Sequence, residues 1–451
     1  MSSIVISVGQ CGNQISNSLI DQLLSNQTNQ TSFLYSNFDN RFHFINIDSE
    51  IKVIKNLLTE HSQCLRRENV LNTKCGRGSN WASGYSGLSN DGALKIIEQS
   101  LESVRKEAER CDFLLYLCMM HSLSGGTGSG CGSRLIEELR NEFGWKKLIF
   151  TQSVAPFRDG ELPLQHYNNL LCLSHLHEHA DFIGLYQNDD ILSALGKPSQ
   201  TTPPVSSKTG LVPFNAAKLA KKPGQVDNEP LITLSDMNDH ITNCFLNTFN
   251  PVDNISLKSQ GFGMEFLEIQ RFLCPNFNLK VVETLNVNSF NSTKSVYEKT
   301  NPLMKKMSSS IVKFKPNSTN FYTSLNSLFI ARGLQDFKEY NSEHVLGQLV
   351  NDMELINKML NPVKWNPFTV DFWTAKNSLQ MGKTKSNSLT LCTNRNRCCD
   401  YLKEVGAKAR IKYSAKAYLH WYDKFNISSC LFENAFENLD NIVDSYDEMT
   451  I

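Results

Sequence analysis

Met120-His-Ser-Leu-Ser-Gly-Gly-Thr-Gly-Ser-Gly-Cys-Gly-Ser-Arg-Leu-Ile-Glu-Glu-Leu-Arg-Asn141 sets a glycine cluster between an apolar run and a stretch of helical period. Upstream, Phe113-Leu-Leu-Tyr-Leu-Cys-Met119 is short and uncharged, the pattern of a strand buried on both faces. Downstream, Leu135, Ile136, Leu139 and Phe143 recur at helical spacing, so the chain reads strand, glycine loop, helix. Gly125, Gly126, Gly128, Gly130 and Gly132 put no Cβ in the way of a close backbone approach, and consecutive N–H groups can face an anion. A helix starting near Cys131 adds the positive end of its dipole, which points to phosphate. No Gly-Lys-Ser/Thr follows, which excludes a P-loop, and Cys131 or Ser133 stands where a dinucleotide fingerprint needs its last glycine. A flexible Gly/Ser linker fits poorly because strand and helix abut the loop directly.

Ser124-Gly-Gly-Thr-Gly-Ser-Gly130 resembles the signature loop of the tubulin superfamily, which in that family grips the phosphates of GTP. Gly9-Gln-Cys-Gly-Asn-Gln-Ile15 resembles the family's first phosphate loop, Asn80-Trp-Ala82 a later one, and Tyr418-Leu-His-Trp-Tyr422 its penultimate helix. These motifs stand in family order and span almost the whole chain. Within the superfamily, Asn80-Trp-Ala-Ser-Gly-Tyr-Ser86, Leu173-Ser-His-Leu176, Asn361-Pro-Val-Lys-Trp365 and Ser414-Ala-Lys-Ala-Tyr-Leu-His-Trp421 are most similar to the δ-tubulins.

A chain of 451 residues has room for two or three domains with sizeable cores. Its 45 basic and 45 acidic residues cancel, and without a Lys/Arg-rich stripe nucleic acid is not expected as a ligand. Thirteen cysteines are scattered without paired CxxC spacing, as befits idle or buried thiols in a reducing compartment and not a zinc clamp. The first eight residues lack a basic lead and form too short an apolar run for a signal peptide or membrane span, so a cytoplasmic protein is expected.

Along the chain, Ile4–Val8 reads as a β-branched strand and Ile15, Leu19, Leu23 and Leu24 as the stripe of a following helix. By the resemblance Gly9, Gln10, Cys11 and Gln14 touch the phosphates and sugar of the nucleotide. His43–Asp48 is a strand ending in acid, with Glu50 two residues on; carboxylates at a strand's C-terminal edge suit Mg²⁺, and equally suit a helix N-terminus. The resemblance makes Glu50, with Asp48, the Mg²⁺-associated pair. Arg77–Trp81, after a weak strand around Cys64–Arg66, resembles the loop that senses the terminal phosphate, through Gly78, Ser79 and Asn80. The signature loop would contribute Ser122, Gly125, Gly126, Thr127 and Gly128, and the segment after Gly160 would contribute Glu161.

Further strands are expected over Lys147–Ser153 and Phe182–Gln187, and helices over Leu94–Ala108 and up to Ala180. His175, His177 and His179 alternate, which spreads them around a helix instead of making a metal face. Six strands alternating with helices predict an α/β, doubly wound parallel sheet with its ligand loops at the strands' C-terminal ends, which the resemblance implies is tubulin-like. Asn188 and Asn238 match the asparagines that bond guanine, whose edge needs both donors and acceptors. Leu234 stands where the family places an aromatic, so base stacking is expected to be weakened. The Pro- and Ser-rich stretch at about 197–230 reads as a disordered insertion.

The expected domains are therefore residues 1–249 for GTP binding, 250–394 as a mixed-sheet intermediate domain, and 395–451 as C-terminal helices. Counting back from Pro275, Glu265 and Glu268 fall where an activating subunit of the family carries its acids. The resemblance implies bound GTP or GDP and a GTPase whose turnover depends on a neighbouring subunit. It also implies head-to-tail and lateral contacts with other tubulins, and a cytoskeletal place with centriolar or basal-body components, in triplet microtubules and in cilium or flagellum assembly. The chain stops at Ile451 without the acidic tail of α- and β-tubulins, so binding through such a tail is not expected. An ε/ζ-like or divergent α/β-tubulin, and a nucleotide-binding module that does not hydrolyse, remain open. A metabolic nucleotide-dependent enzyme is disfavoured, since no nucleophile–base constellation appears in the second domain.

Overall fold

The computed structural model describes residues 2–25, 34–36, 39–73, 76–87, 93–158, 162–196, 232–250, 252, 266–289, 296–316, 318–333, 352, 354–375, 380–381, 384–385 and 387–449. The expectations placed on Glu161, Glu265 and residues 197–230 lie outside them. β1 (Ser2–Val8) leads into α1 (Gly9–Ser25), and after the small hairpin β2 (Tyr35–Ser36) and β3 (Arg41–Phe42) come β4 (Phe44–Asp48), α2 (Ile51–His61), β5 (Val70–Asn72), a short α3 (Trp81–Tyr85) and α4 (Ala93–Glu109). β6 (Leu114–Ser122), α5 (Gly132–Phe143), β7 (Leu148–Ala155), α6 (Gln165–His179), β8 (Phe182–Gln187) and α7 (Asn188–Leu195) continue the alternation. Beyond them run α8 (Leu234–Phe249), α9 (Phe266–Leu273), β9 (Val281–Ser289), α10 (Val296–Ser310), β10 (Ser324–Arg332), β11 (Val370–Ala375), a second hairpin of β12 (Gln380–Met381) and β13 (Thr384–Lys385), and β14 (Asn387–Arg395). α11 (Cys398–Ser414), a short α12 (His420–Asp423) and α13 (Ser429–Glu448) close the described chain.

The main sheet runs β11-β10-β14-β9-β8-β7-β6-β1-β4-β5 among the described residues. Its pairs from β8 to β5 are all parallel. Counted along the chain, the six strands of this half lie in the order 3-2-1-4-5-6, the doubly wound order, with the reversal between β1 and β6. β9 joins β8 in parallel through Ile183 opposite Val281 and Gly184 opposite Val282, then pairs antiparallel with β14. Burial on both faces explains the uninterrupted apolar strands: Ile4, Ile6 and Val8 face the core shared with α4, α5, α6, α11 and α13, while Val5 faces the one shared with α1, α8 and α9.

Some boundaries differ from the sequence expectation for local reasons. The strand expected near Cys64 is a turn, because the His61 carbonyl at the end of α2 takes both the Cys64 and Leu65 N–H groups, and the strand forms at β5 instead. In the second half of the chain, β9 begins at Val281, after a turn closed by Leu279 N–H on the Asn276 carbonyl. Within the C-terminal helices, α11 ends at Ser414, and Lys416 and Tyr418 take φ of 51° and 62° before α12. No helix of the described residues is long and apolar enough to cross a membrane, and no disulfide joins the cysteines among them.

Candidate functional site

In open α/β sheets a ligand crevice forms beyond the C-terminal strand ends where the strand order reverses, here beyond β1 and β6. β1 is followed directly by Gly9, and β6 by Leu123, Ser124 and then the glycine cluster from Gly125. Gly9, with φ of 75°, comes so close to the turn after β6 that a Cβ on it would stand 2.8 Å from the Gly128 nitrogen. The residues after Gly125 are no open loop: Gly126–Cys131 form a wide π-helical turn that runs into α5, so the helical dipole begins within the glycine cluster. Gly126 donates its N–H to the Gly78 carbonyl at 3.1 Å, and a Cβ there would meet the Gly78 and Arg77 carbonyl oxygens at 2.5 and 2.6 Å. Gly130 packs likewise on the Trp81 carbonyl. Three backbone segments, around Gly9, Gly78 and Gly126, thus converge at a spacing that only glycine at 9 and 126 permits.

Side chains hold this cradle from behind. Asn13, fully buried, donates to the Gly9 and Ile47 carbonyls at 2.9 Å each, and Asn46 donates to it at 3.0 Å. Ser49 and Thr127 hydroxyls bond at 2.6 Å, which ties the end of β4 to the glycine turn. His121 donates from Nδ1 to the Gly128 carbonyl at 3.1 Å, so its Nε2 accepts from Ser153 at 2.8 Å. Burial pulls this histidine down to about 4. Asn80 caps α3 by accepting from Ala82 N–H at 2.9 Å.

Beside the cradle, a cavity of about 660 Å³ opens between α1, α2 and α8, lined by Asn13, Gln14, Asn17, Leu234, Asn238 and Asp239 among others. The described lining has no lysine or arginine but three carboxylates, Asp21, Glu60 and Asp239, with several amides. Such a wall suits an uncharged, hydrogen-bonding nucleoside, while phosphate charge falls to the N–H-rich turns. Gln14 and Asn238 are on this wall. Asn188 opens α7, which packs on α8. Leu234, 57% exposed, forms part of the wall as an aliphatic patch where a ring would stack. Of the first-loop residues, Gln10 is exposed and Cys11 half-buried, its thiol pushed up to about 12 by burial. Ser122, Gly125, Gly78 and Ser79 are at the cradle's open side, none of them fully covered.

Asp48 is buried at the end of β4; one carboxylate oxygen accepts the Glu50 N–H at 3.1 Å and Oδ2 has no partner. Burial raises its carboxyl to about 6. Glu50 is exposed at the start of α2 without capping it. No group of three or more potential metal ligands occurs among the described residues, so a cation here would take these two carboxylates with waters and phosphate oxygens. Glu268 lies apart, half-buried in the first turn of α9. The sequence reading missed Asn13, Ser49 and the walls that α1 and α2 give the cavity; Asn13 stood inside a quoted motif, but nothing local marked its two carbonyl partners.

Residues 2–196 match the Tubulin/FtsZ family, GTPase domain. Over 498 aligned positions covering 99% of both chains, the protein is 26% identical to the tubulin delta chain of Homo sapiens, 25% to that of Macaca fascicularis and 24% to that of Canis lupus familiaris. The matched domain contains β1, β4, β6 and every described turn of the cradle, and it implies GTP or GDP as the ligand. Residues 2–196 are therefore a GTPase domain of the Tubulin/FtsZ family, and the chain is similar to tubulin delta chains along 99% of its length.

Proposed function

We propose that this is a guanine-nucleotide-binding, δ-type tubulin that acts in forming or maintaining the triplet microtubules of centrioles and basal bodies, and so in building cilia or flagella. The observation that carries the nucleotide part is the convergence of Gly9, Gly78 and Gly126 at the point where the strand order reverses. The centriolar part rests on the end-to-end likeness to tubulin delta chains. GTP or GDP binds with its phosphates over the glycine turns and its base toward Gln14, Asn188 and Asn238; Asp48 and Glu50 hold Mg²⁺, for which the partnerless Asp48 oxygen beside the Ser49–Thr127 bond is the support. Other tubulins are its partners, head to tail or side by side, in the cytoskeleton.

Two measurements test this. Calorimetry with GTP, GDP and ATP, with and without Mg²⁺, is expected to show guanine-selective, Mg²⁺-assisted binding. In a flagellated cell lacking the protein, microtubules per centriole blade, counted in cross-section, are expected to fall from three to two. Intact triplets would sink the centriolar reading while leaving the nucleotide reading standing.

A further inference from the structure

We propose that Asn168 is a positioning residue for terminal-phosphate recognition, the clamp that sets the second phosphate loop against the signature turn. Its side chain is completely buried in the first turns of α6 and uses its full hydrogen-bonding capacity. Nδ2 donates to the Ser79 and Ser124 carbonyls, each at 2.7 Å, while Oδ1 accepts from the Trp81 N–H at 2.9 Å and the Tyr422 hydroxyl at 2.7 Å. Ser79 and Trp81 flank Asn80, and Ser124 precedes Gly125. One amide therefore fixes the spacing of the two backbone segments that Gly126 brings together, from the side away from the ligand.

The fourth partner is what makes the arrangement more than local. Tyr422 belongs to α12, 254 residues away, and a second bond, from Asn80 Nδ2 to the Trp421 carbonyl at 2.9 Å, ties the same two pieces. The phosphate loop is thus anchored on the C-terminal helical region, and its position depends on that region staying docked. Without the amide donor the half-buried Ser79 and Ser124 would lose these bonds from their carbonyls, and the loop would relax toward water. Because only the terminal phosphate distinguishes GTP from GDP, a relaxed loop costs GTP more than GDP. The inference rests on the reading of Gly78–Asn80 as a phosphate loop.

A purely structural role is separated by a matched control. Asn394 on β14 is an equally buried amide clamp, donating to the Leu273 and Leu279 carbonyls at 2.8 Å and accepting from the Tyr446 hydroxyl at 2.7 Å, in a strand that takes no part in the cradle. Kd values for GTP and GDP are measured by calorimetry with Mg²⁺ on wild type, Asn168→Asp, Tyr422→Phe and Asn394→Asp, with thermal unfolding of each. Asn168→Asp keeps the acceptor and loses both donor bonds, and is expected to lose at least tenfold of the GTP-over-GDP preference; Tyr422→Phe is expected to lose a few-fold, and Asn394→Asp none despite a comparable fall in melting temperature. If Asn168→Asp does not fold, Tyr422→Phe decides alone. Preference ratios unchanged in the folded Asn168 and Tyr422 variants, or reduced equally in Asn394→Asp, overturn the positioning role. A wild type that binds neither nucleotide overturns the proposed function itself.

Discussion

Gly125 and Gly126 are neighbours with different surroundings. A Cβ on Gly126 would collide with two backbone oxygens, whereas at Gly125 the nearest neighbour would be the Ser122 hydroxyl at 3.4 Å, and its φ of −81° suits any residue. Substitution at 126 therefore pries apart the loops and confuses folding with binding, while Gly125→Val leaves the packing intact and puts bulk on the open side of the turn. Gly125→Val is expected to keep its melting temperature within a few degrees and to bind GTP at least about tenfold more weakly, roughly 1.4 kcal/mol; calorimetry that finds wild-type affinity would mean the phosphates lie elsewhere. The glycines were legible in the sequence because their contribution is a missing side chain, written contiguously. Asn168 was not, because its meaning lies in carbonyls 44 and 89 residues away that only the folded chain supplies.

Among the elements, the alternation of strands and helices was legible from period and burial, and β8 forms with the expected bounds. The glycine segment was not legible as helix, since glycine has poor helix propensity; its backbone is held in the π-turn by contacts from α3 and β6. His121, at the end of β6, is one of those contacts, and its ionisation bears on stability. Burial depresses it to about 4 from an unfolded value near 6.5, so the folded state holds fewer protons, and stability present above pH 6.5 is lost as pH falls toward 4. For a completely buried group the loss reaches about 3 kcal/mol below pH 4. His166, His177 and His240, also lowered to about 4 by burial, add to the same acid limb. His43 acts in the opposite sense: burial pulls it down, but bonds to Cys111 and Glu107 raise it to about 9, so its contribution is complete below pH 6.5 and fades as pH rises through 9. His121→Gln should therefore flatten, without abolishing, the decline of melting temperature between pH 6.5 and 4; curves parallel to wild type would show that His121 does not set the slope.

Across the whole molecule, α8 is the spine between the cavity beside the glycine cradle and the second half of the sheet. Its 16 residues span about 24 Å, with Leu234 and Asn238 on the cavity wall at one end and Phe249 at the other. There the Phe249 ring lies 5.4 Å from Phe266, which opens α9, and Glu268 follows in the same turn. That its far end meets α9 through an aromatic cluster with Phe150 and Phe182 could not be read from the sequence, because those partners come from the distant strands β7 and β8. The consequence is that Glu268 is remote from the cradle of its own chain. If it acts on a nucleotide, it does so across a head-to-tail contact, where a carboxylate can orient water at the neighbour's terminal phosphate. Hydrolysis per molecule is then expected to rise with protein concentration as contacts form, and Glu268→Ala to lower it by about 100-fold at full assembly while monomer affinity for GTP is unchanged. GTP turnover measured over a dilution series decides the matter: a rate per molecule that is already maximal in dilute monomer, and the same in Glu268→Ala, would rule out catalysis between subunits.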